Sequence, residues 1–124
     1  TAGKVSMPLL GYYTPSQNAP EGLVDTMRQD AGQWNIPVSL VQPGAIATKM
    51  ARSFGRQLDA QLSQLDDTGR DHYGDYFMQQ KAIGKTTDII VLSPDAVADC
   101  IVDVLEAETP SPRYPIGGAI DLFN

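Results

Sequence analysis

The chain has only two segments that read as β-strands, and this limits what it can fold into. Residues 36–41 (IPVSLV) end at Pro43-Gly44, and residues 113–116 (RYPI) end at Gly117-Gly118. Such short runs, apolar on both faces, are typical of parallel strands covered by helices on two sides. Two strands cannot form such a sheet by themselves. The pattern therefore predicts part of an α/β layered fold.

Helical periodicity accounts for most of the remaining sequence. It predicts a helix over residues 20–34, a second helix over 48–65, and a segment over 70–85 that is helical in part. The first helix should carry its apolar side chains on one face, namely Leu23, Met27 and Trp34.

A further helix should begin at Pro94. Ser93 suits the capping position before it, proline fits the first helical position, and Asp95 suits the positive end of the helix dipole. The helix should run to residue 108, and its apolar stripe should face a core; the stripe is Val97, Ile101, Val104 and Leu105. We expect all these elements to form one partial domain over residues 1–124.

Composition excludes several classes of function. Fifteen acidic against nine basic residues give a net charge of -6, which disfavours nucleic acid and anionic membranes as partners. No run approaches the roughly 18 apolar residues of a membrane span, and residues 1–10 lack the shape of a signal peptide, so a cytoplasmic protein is expected. With one cysteine and one histidine, we expect neither an internal disulfide nor a Cys/His metal site.

Three blocks of sequence follow one another in a familiar order: AGKVSMPLLGYYTPSQ (2–17), NIPVSLVQPGAIATKM (35–50) and SPDAVADCIVDVLEAETPSPRYPIGG (93–118). They resemble the active-site segment, the strand with its Pro-Gly cofactor loop, and the last helix and strand of the short-chain dehydrogenase/reductases. The chain thus resembles the C-terminal half of that family. The resemblance implies part of a Rossmann-like, doubly wound parallel sheet, without the N-terminal nucleotide-binding half.

The family's chemistry is hydride transfer between NAD(H) or NADP(H) and an alcohol or ketone carbon. In its Tyr-x-x-x-Lys motif the tyrosine transfers the hydroxyl proton. The lysine supplies positive charge, since a free tyrosine titrates near pKa 10 and is a poor base at neutral pH. By resemblance Tyr13 is the catalytic tyrosine, and Gln17 stands at the lysine position. The family's serine, thirteen residues earlier, would fall one position before Thr1.

The Pro-Gly loop matches the family more fully. By resemblance Pro43, Gly44, Ile46 and Thr48 close over the nicotinamide, with backbone contacts from Ile46 and a hydroxyl from Thr48. The 124 residues contain no glycine-rich dinucleotide motif of the form G-x-x-x-G-x-G or G-x-G-x-x-G. The resemblance therefore implies NAD or NADP as cofactor, and the alternative is that the chain alone binds neither.

Two prolines depart from the family, whose tyrosine-bearing helix is continuous. Pro15 and Pro20 fall in that region, and a proline inside a helix costs about 3 kcal/mol. We therefore expect the helix to be interrupted there.

Three hypotheses for function follow. The first is that the chain is part of an oxidoreductase whose nucleotide-binding half is separate or upstream. The second is that it is a non-catalytic binding or oligomerisation module. The third is that it is a decayed reading frame without a role. The family's subunit contacts involve the helices around the tyrosine and after the Pro-Gly loop. Because strands with unpaired edges need cover, the expected partners are further copies of the chain or a complementing N-terminal half.

Overall fold

The computed structural model describes residues 6–87 and 91–117. In chain order, the elements are α1 (Tyr13–Gly32), β1 (Leu40–Pro43), α2 (Lys49–Gln64), α3 (Asp67–Thr87), α4 (Pro94–Glu106) and β2 (Arg113–Ile116). All four helices and both strands predicted from the sequence are present, although several boundaries differ.

The two strands pair in parallel. Leu40 lies opposite Arg113 and Pro43 opposite Ile116, and the Gly44 N–H continues the ladder by donating to the Ile116 carbonyl at 2.8 Å. The chain between the strands passes through α2, α3 and α4, as a parallel pair requires a long crossover. This arrangement confirms the predicted α/β class and the two-stranded parallel sheet.

Strand β1 begins later than the pattern predicts, so the predicted span 36–41 is wrong at its start. The Ile36 N–H bonds back to the Ala31 carbonyl at the end of α1, and Pro37 has no N–H to give to a neighbouring strand. Residues 35–37 therefore belong to the turn that ends α1, and the strand begins only after them. Asn35, at φ 55°, makes this reversal in the left-handed region that asparagine tolerates.

Helix α1 is continuous from Tyr13 to Gly32, so both the predicted start at residue 20 and the predicted interruption are wrong. Pro15 is the third helical residue, where a backbone N–H has no partner within the helix in any case. Pro20 does lie in the interior. There it leaves the Ser16 carbonyl without the N–H that normally bonds it, yet the helix continues beyond it.

Replacing Pro20 with alanine should therefore stabilise the protein. The variant restores one backbone hydrogen bond and removes the crowding of the Ser16 carbonyl, an effect worth up to about 3 kcal/mol. We expect a higher urea midpoint, measured by circular dichroism. Pro110, which follows α4 in the chain, is the control, and Pro110→Ala should leave the midpoint nearly unchanged; an unchanged midpoint for Pro20→Ala would contradict the account.

Helices α2 and α3 form an antiparallel hairpin that contains both buried apolar side chains found in the described residues. Leu58 of α2 and Phe77 of α3 are only 5% and 6% exposed. Leu65 and Asp66 separate the helices, and Asp66 caps α3 by accepting the Gly69 N–H at 2.7 Å. The predicted break at residues 66–69 is therefore wrong in its extent, because α3 already begins at Asp67, and the segment 70–85 is helical throughout.

The predicted core-facing stripe of α4 is confirmed only in part, since Val97 and Val104 are half-buried and the helix contacts both strands. Leu105 is 79% exposed and Ile101 is 43% exposed, and no residue of the helix is buried. The apolar face of α1 is similar, since Leu23 is 61% exposed and Met27 is 47% exposed. Trp34, predicted on the same face, lies beyond the end of α1 at Gly32 and is 65% exposed. The sheet therefore covers part of the α4 stripe, while Ile101 and Leu105 of α4 and the apolar residues of α1 stay largely exposed among the described residues.

An ion-pair cluster attaches α1 to the sheet. Arg113, the first residue of β2, donates through Nε to Glu21 Oε2 at 2.9 Å and through Nη2 to Asp25 Oδ1 at 2.7 Å. Gln42 of β1 also donates to the Glu21 carboxylate. The hydrogen bond from Arg113 holds the pKa of the Asp25 carboxyl below its ordinary value.

This cluster predicts a pH dependence of stability. The Asp25 pKa is lower in the folded state than in the unfolded state, so the unfolded chain takes up the proton first as the pH falls. The stabilisation is fully present above the ordinary aspartate pKa of about 3.9 and is lost as the pH falls through the folded-state pKa. In urea titrations at pH 6 and pH 3, Asp25→Asn should lower the midpoint more at pH 6 than at pH 3.

The matched control for that measurement is Asp30→Asn, which changes an exposed carboxylate on the same helix. It should shift the midpoint little at either pH. An equal loss from Asp25→Asn at both values would mean that its ionised form contributes nothing.

Candidate active site

A cleft of about 410 Å³ lies between three parts of the chain. One wall is the loop before α1, a second is α2, and the third is the C-terminal part of α3. The lining residues are Met7, Leu9, Leu10, Tyr13, Met50, Ala51, Phe54, Gln57, Leu58, Gln61, Gln80, Ile83 and Gly84. The α2–α3 hairpin therefore covers the start of α1, where the predicted catalytic tyrosine stands.

Tyr13 is the first residue of α1 and contributes to the wall of this cleft. Its side chain is 39% exposed, whereas the neighbouring Tyr12 is 97% exposed and does not line the cleft. The helix places Gln17 one turn after Tyr13, on the same face, where it is exposed to solvent. Helical geometry thus keeps the predicted pair together, with an uncharged amide as the second member.

The segment before the tyrosine is held by a buried side chain of α3. Gln80 is 3% exposed, and its Nε2 donates to the Pro8 carbonyl at 3.1 Å. Leu9, next to Pro8, has φ 66°, which is the left-handed region that a leucine seldom adopts. The cleft wall therefore has a fixed and locally strained backbone beside Tyr13.

The predicted cofactor loop begins at the carboxyl end of β1. Ile46 forms a parallel bridge with Leu92, through hydrogen bonds from Ala47 N–H to the Leu92 carbonyl and from Leu92 N–H to the Ala45 carbonyl, both 3.0 Å. The Ile46 carbonyl accepts the Thr48 N–H at 2.8 Å, while the Ile46 N–H makes no hydrogen bond with the described residues. The loop is thus held by its neighbours and still offers one backbone donor.

Thr48 ends the loop and begins the next helix. Its hydroxyl oxygen accepts the Ala51 N–H at 3.2 Å and so caps α2. A threonine hydroxyl that accepts in this way keeps its own O–H available to donate.

Gly44 lies where the loop meets β2. A Cβ built on the neighbouring Gly117 would be 3.7 Å from the Gly44 Cα, so the two backbones pass close to each other. Gly117 has φ 110°, a conformation that favours glycine. The glycines at the two strand ends therefore allow a close approach of the backbones, with the Leu92 side chain packed against Gly117.

The cleft and the loop are connected through α2. Met50 and Ala51, in the first turn after the Thr48 cap, also line the cleft with Tyr13. Of the predicted site residues, the structure brings Tyr13 to the cleft. Gln17 lies one turn along its helix, and the four loop residues Pro43, Gly44, Ile46 and Thr48 stand at the sheet edge before α2.

Among residues 6–87 and 91–117, no group of three or more His, Cys, Asp or Glu side chains is placed to hold a metal ion. In the same residues, no helix combines the length and the apolar character needed to cross a membrane.

Comparison with known proteins decides the family. A family model described as short chain dehydrogenase matches residues 1–59. The chain is 30% identical over 119 residues to the NADPH-dependent 3-dehydrocapnine reductase of Ornithobacterium rhinotracheale, across 94% of the chain. The chain belongs to the short-chain dehydrogenase/reductase family.

Two human members of the family align over similar lengths. The chain is 32% identical over 133 residues to 11-beta-hydroxysteroid dehydrogenase type 2, across 98% of the chain. It is 30% identical over 117 residues to retinol dehydrogenase 5, across 86% of the chain. The chain spans 38% of the length of the bacterial reductase, 31% of the hydroxysteroid dehydrogenase and 35% of the retinol dehydrogenase.

Sequence reasoning predicted roles for Tyr13 and the Pro-Gly loop but missed three glutamines of the cleft, Gln57, Gln61 and Gln80. Gln57 and Gln61 lie four residues apart on α2, a spacing that places them on one face. That spacing was visible in the sequence. The burial of Gln80 was not, because nothing near it in the sequence indicates that it bonds to Pro8.

Proposed function

We propose that this chain provides the proton-transfer and substrate-binding half of a short-chain dehydrogenase/reductase, and that it requires a dinucleotide-binding half to transfer hydride. The observation that carries the proposal is the position of Tyr13 in the wall of a largely apolar cleft, beside the first turn of the helix that Thr48 caps. The proposed reaction interconverts an alcohol and a ketone.

The loop residues fit a nicotinamide ring. Gly44 has no side chain to obstruct a flat ring, the Ile46 N–H is an available donor, and Thr48 retains a hydroxyl proton for a carboxamide. When bound, the nicotinamide accepts or supplies the hydride of the alcohol carbon. In this proposal, Tyr13 takes the hydroxyl proton during oxidation and returns it during reduction, and the loop holds the ring.

Gln17 limits this chemistry. A neutral amide can hydrogen-bond a ribose hydroxyl, but it cannot stabilise the tyrosinate by charge. This observation favours a second candidate, a non-catalytic module derived from the family that binds or assembles. The two candidates differ in whether Tyr13 affects turnover once a dinucleotide-binding half is present.

The experiment joins the chain to the dinucleotide-binding half of a family relative and follows NADH and NADPH oxidation with a ketone by absorbance. Tyr13→Phe should abolish turnover, because the phenol proton is lost. Tyr12→Phe is the matched control and should retain it, since Tyr12 does not line the cleft. Turnover that survives Tyr13→Phe would overturn the assignment, and no turnover in any variant would favour the non-catalytic module.

We further propose that the chain associates with itself or with a complementing half. The exposed apolar faces of α1 and α4 and the two-stranded sheet support this, since large apolar surfaces and open strand edges tend to be covered. Size-exclusion chromatography with light scattering should give a mass of at least twice 13.4 kDa for the chain alone. A monomer at all concentrations would contradict self-association.

A further inference from the structure

The residues that line the cleft restrict the chemical class of its ligand more narrowly than membership of the family does. The described lining combines apolar side chains, the phenol of Tyr13 and the amides of Gln57, Gln61 and Gln80, and it includes no charged side chain. Nothing in this lining would compensate an ionised group on a ligand. Burying a carboxylate without a cation is costly, whereas burying apolar surface is favourable.

Gln80 gives the cleft a fixed polar group. Gln80 is only 3% exposed, and its amide nitrogen donates a hydrogen bond to the Pro8 carbonyl. A carbonyl can only accept, so the atom that bonds it must be the NH₂, and the remaining amide atom is the oxygen. That oxygen makes no hydrogen bond with the described residues, and it can therefore accept from a neutral donor.

The two glutamines of α2 add adaptable amides on the α2 wall of the cleft. Gln57 Nε2 donates to Ser53 Oγ at 2.7 Å, which leaves its carbonyl oxygen as an acceptor. The side-chain amide of Gln61, one turn later, makes no hydrogen bond with the described residues, and Gln61 is exposed at the cleft rim. The amides that α2 and α3 contribute to the cleft are therefore all uncharged.

We propose that the cleft binds an uncharged, predominantly apolar alcohol or ketone and discriminates against carboxylates, with Gln61 as a determinant of this specificity. This inference rests on the proposed function only in taking the ligand to be an alcohol or ketone. It assigns the charge selectivity to the neutral glutamines, and the hydrocarbon part of the ligand to the leucine, methionine and phenylalanine side chains.

The test is equilibrium binding of three probes with equal chain length, 2-decanol, 2-decanone and decanoate, to the 124-residue chain, followed by NMR chemical shifts. The two neutral probes should bind saturably and shift the resonances of Leu58 and Ile83. Decanoate should bind about tenfold more weakly or worse, which corresponds to about 1.4 kcal/mol. Equal or tighter binding of decanoate, or no saturable binding of either neutral probe, would overturn the proposal.

Gln61→Lys tests the assigned residue. Adding a cation at the rim should strengthen decanoate binding by about tenfold, as expected for a charge-assisted hydrogen bond, without strengthening 2-decanone binding. Gln64→Lys adds the same charge to an exposed position of α2 outside the cleft, and should leave all three affinities unchanged. Equal strengthening by both lysines, or none by Gln61→Lys, would reject Gln61 as the determinant.

A second substitution at the same position guards against a folding effect. Gln61→Glu should weaken decanoate binding further while the variant retains the helical circular dichroism of the parent chain. Retained decanoate binding in that variant would also count against the assignment. None of these measurements uses a cofactor or turnover, so the cleft's selectivity and the proposed hydride transfer can fail independently.

Discussion

Replacing Gln17 with lysine is expected to raise the rate of NADH or NADPH oxidation on the order of a hundredfold when the chain is joined to a dinucleotide-binding half, which is the lower end of what acid–base catalysis contributes. Position 17 lies one helical turn from Tyr13. A positive charge at this distance stabilises the tyrosinate and brings the phenol closer to the reactivity that neutral pH requires. In the chain alone, the same variant should show no turnover.

Two controls distinguish the effect of a positive charge at position 17 from the effect of a positive charge elsewhere on α1. Gln29→Lys adds the same charge to an exposed position of α1 that is remote from Tyr13, and it should leave the rate unchanged. Gln17→Met preserves the length of the side chain without charge and should give no gain. A rate that does not rise with Gln17→Lys, or that rises equally with Gln29→Lys, would show that position 17 is not the lysine position of the family.

Phe77→Ala is expected to have the largest effect on stability. Phe77 is one of the two buried apolar side chains found in the described residues, and truncating a buried phenylalanine costs about 3–5 kcal/mol. Because small domains are stable by only about 5–15 kcal/mol, this loss should unfold a large part of the α2–α3 hairpin at moderate urea concentrations. The measurement is the loss of helical circular dichroism with urea.

Met78→Ala is the matched control, since Met78 is the next residue of α3 and is 58% exposed. It should change the urea midpoint only slightly, because surface substitutions usually lie within about 0.5 kcal/mol. Equal midpoints for the two variants would mean that the hairpin is not held by its buried side chains. The cleft would then lack a rigid wall, and binding of a neutral probe should fail in the same preparation.

Local sequence chemistry was sufficient to predict the elements of this fold. The Ser93-Pro94 start, the Pro-Gly end of β1 and the leucine spacing of α2 each depend on neighbours within one or two turns. Pro20 shows the limit of such reasoning, because α1 continues through a residue that the sequence predicts to interrupt it. A proline removes one backbone hydrogen bond of a helix, and the turns on both sides of Pro20 keep theirs, so one unfavourable position does not by itself end α1.

The candidate site was predictable only in part, for a related reason. Resemblance to a family suggested roles for Tyr13 and the loop from Pro43 to Thr48, whereas the cleft depends on contacts between distant segments. The hydrogen bond from Gln80 to Pro8 joins residues 72 positions apart, and no periodic pattern in the sequence predicts it. Similarly, the stripes of α1 and α4 predict which side chains share a face, but they do not say whether this chain or another covers that face.

The central claim is that this chain holds a substrate cleft and a nicotinamide loop but depends on a dinucleotide-binding half for its cofactor. Calorimetric titration with NADH and with NADPH tests it most directly, on the 124-residue chain alone and on the chain joined to such a half. The account predicts saturable binding only for the joined protein. It further predicts weaker binding when Thr48→Val removes the loop hydroxyl; saturable binding of either nucleotide to the chain alone would contradict it.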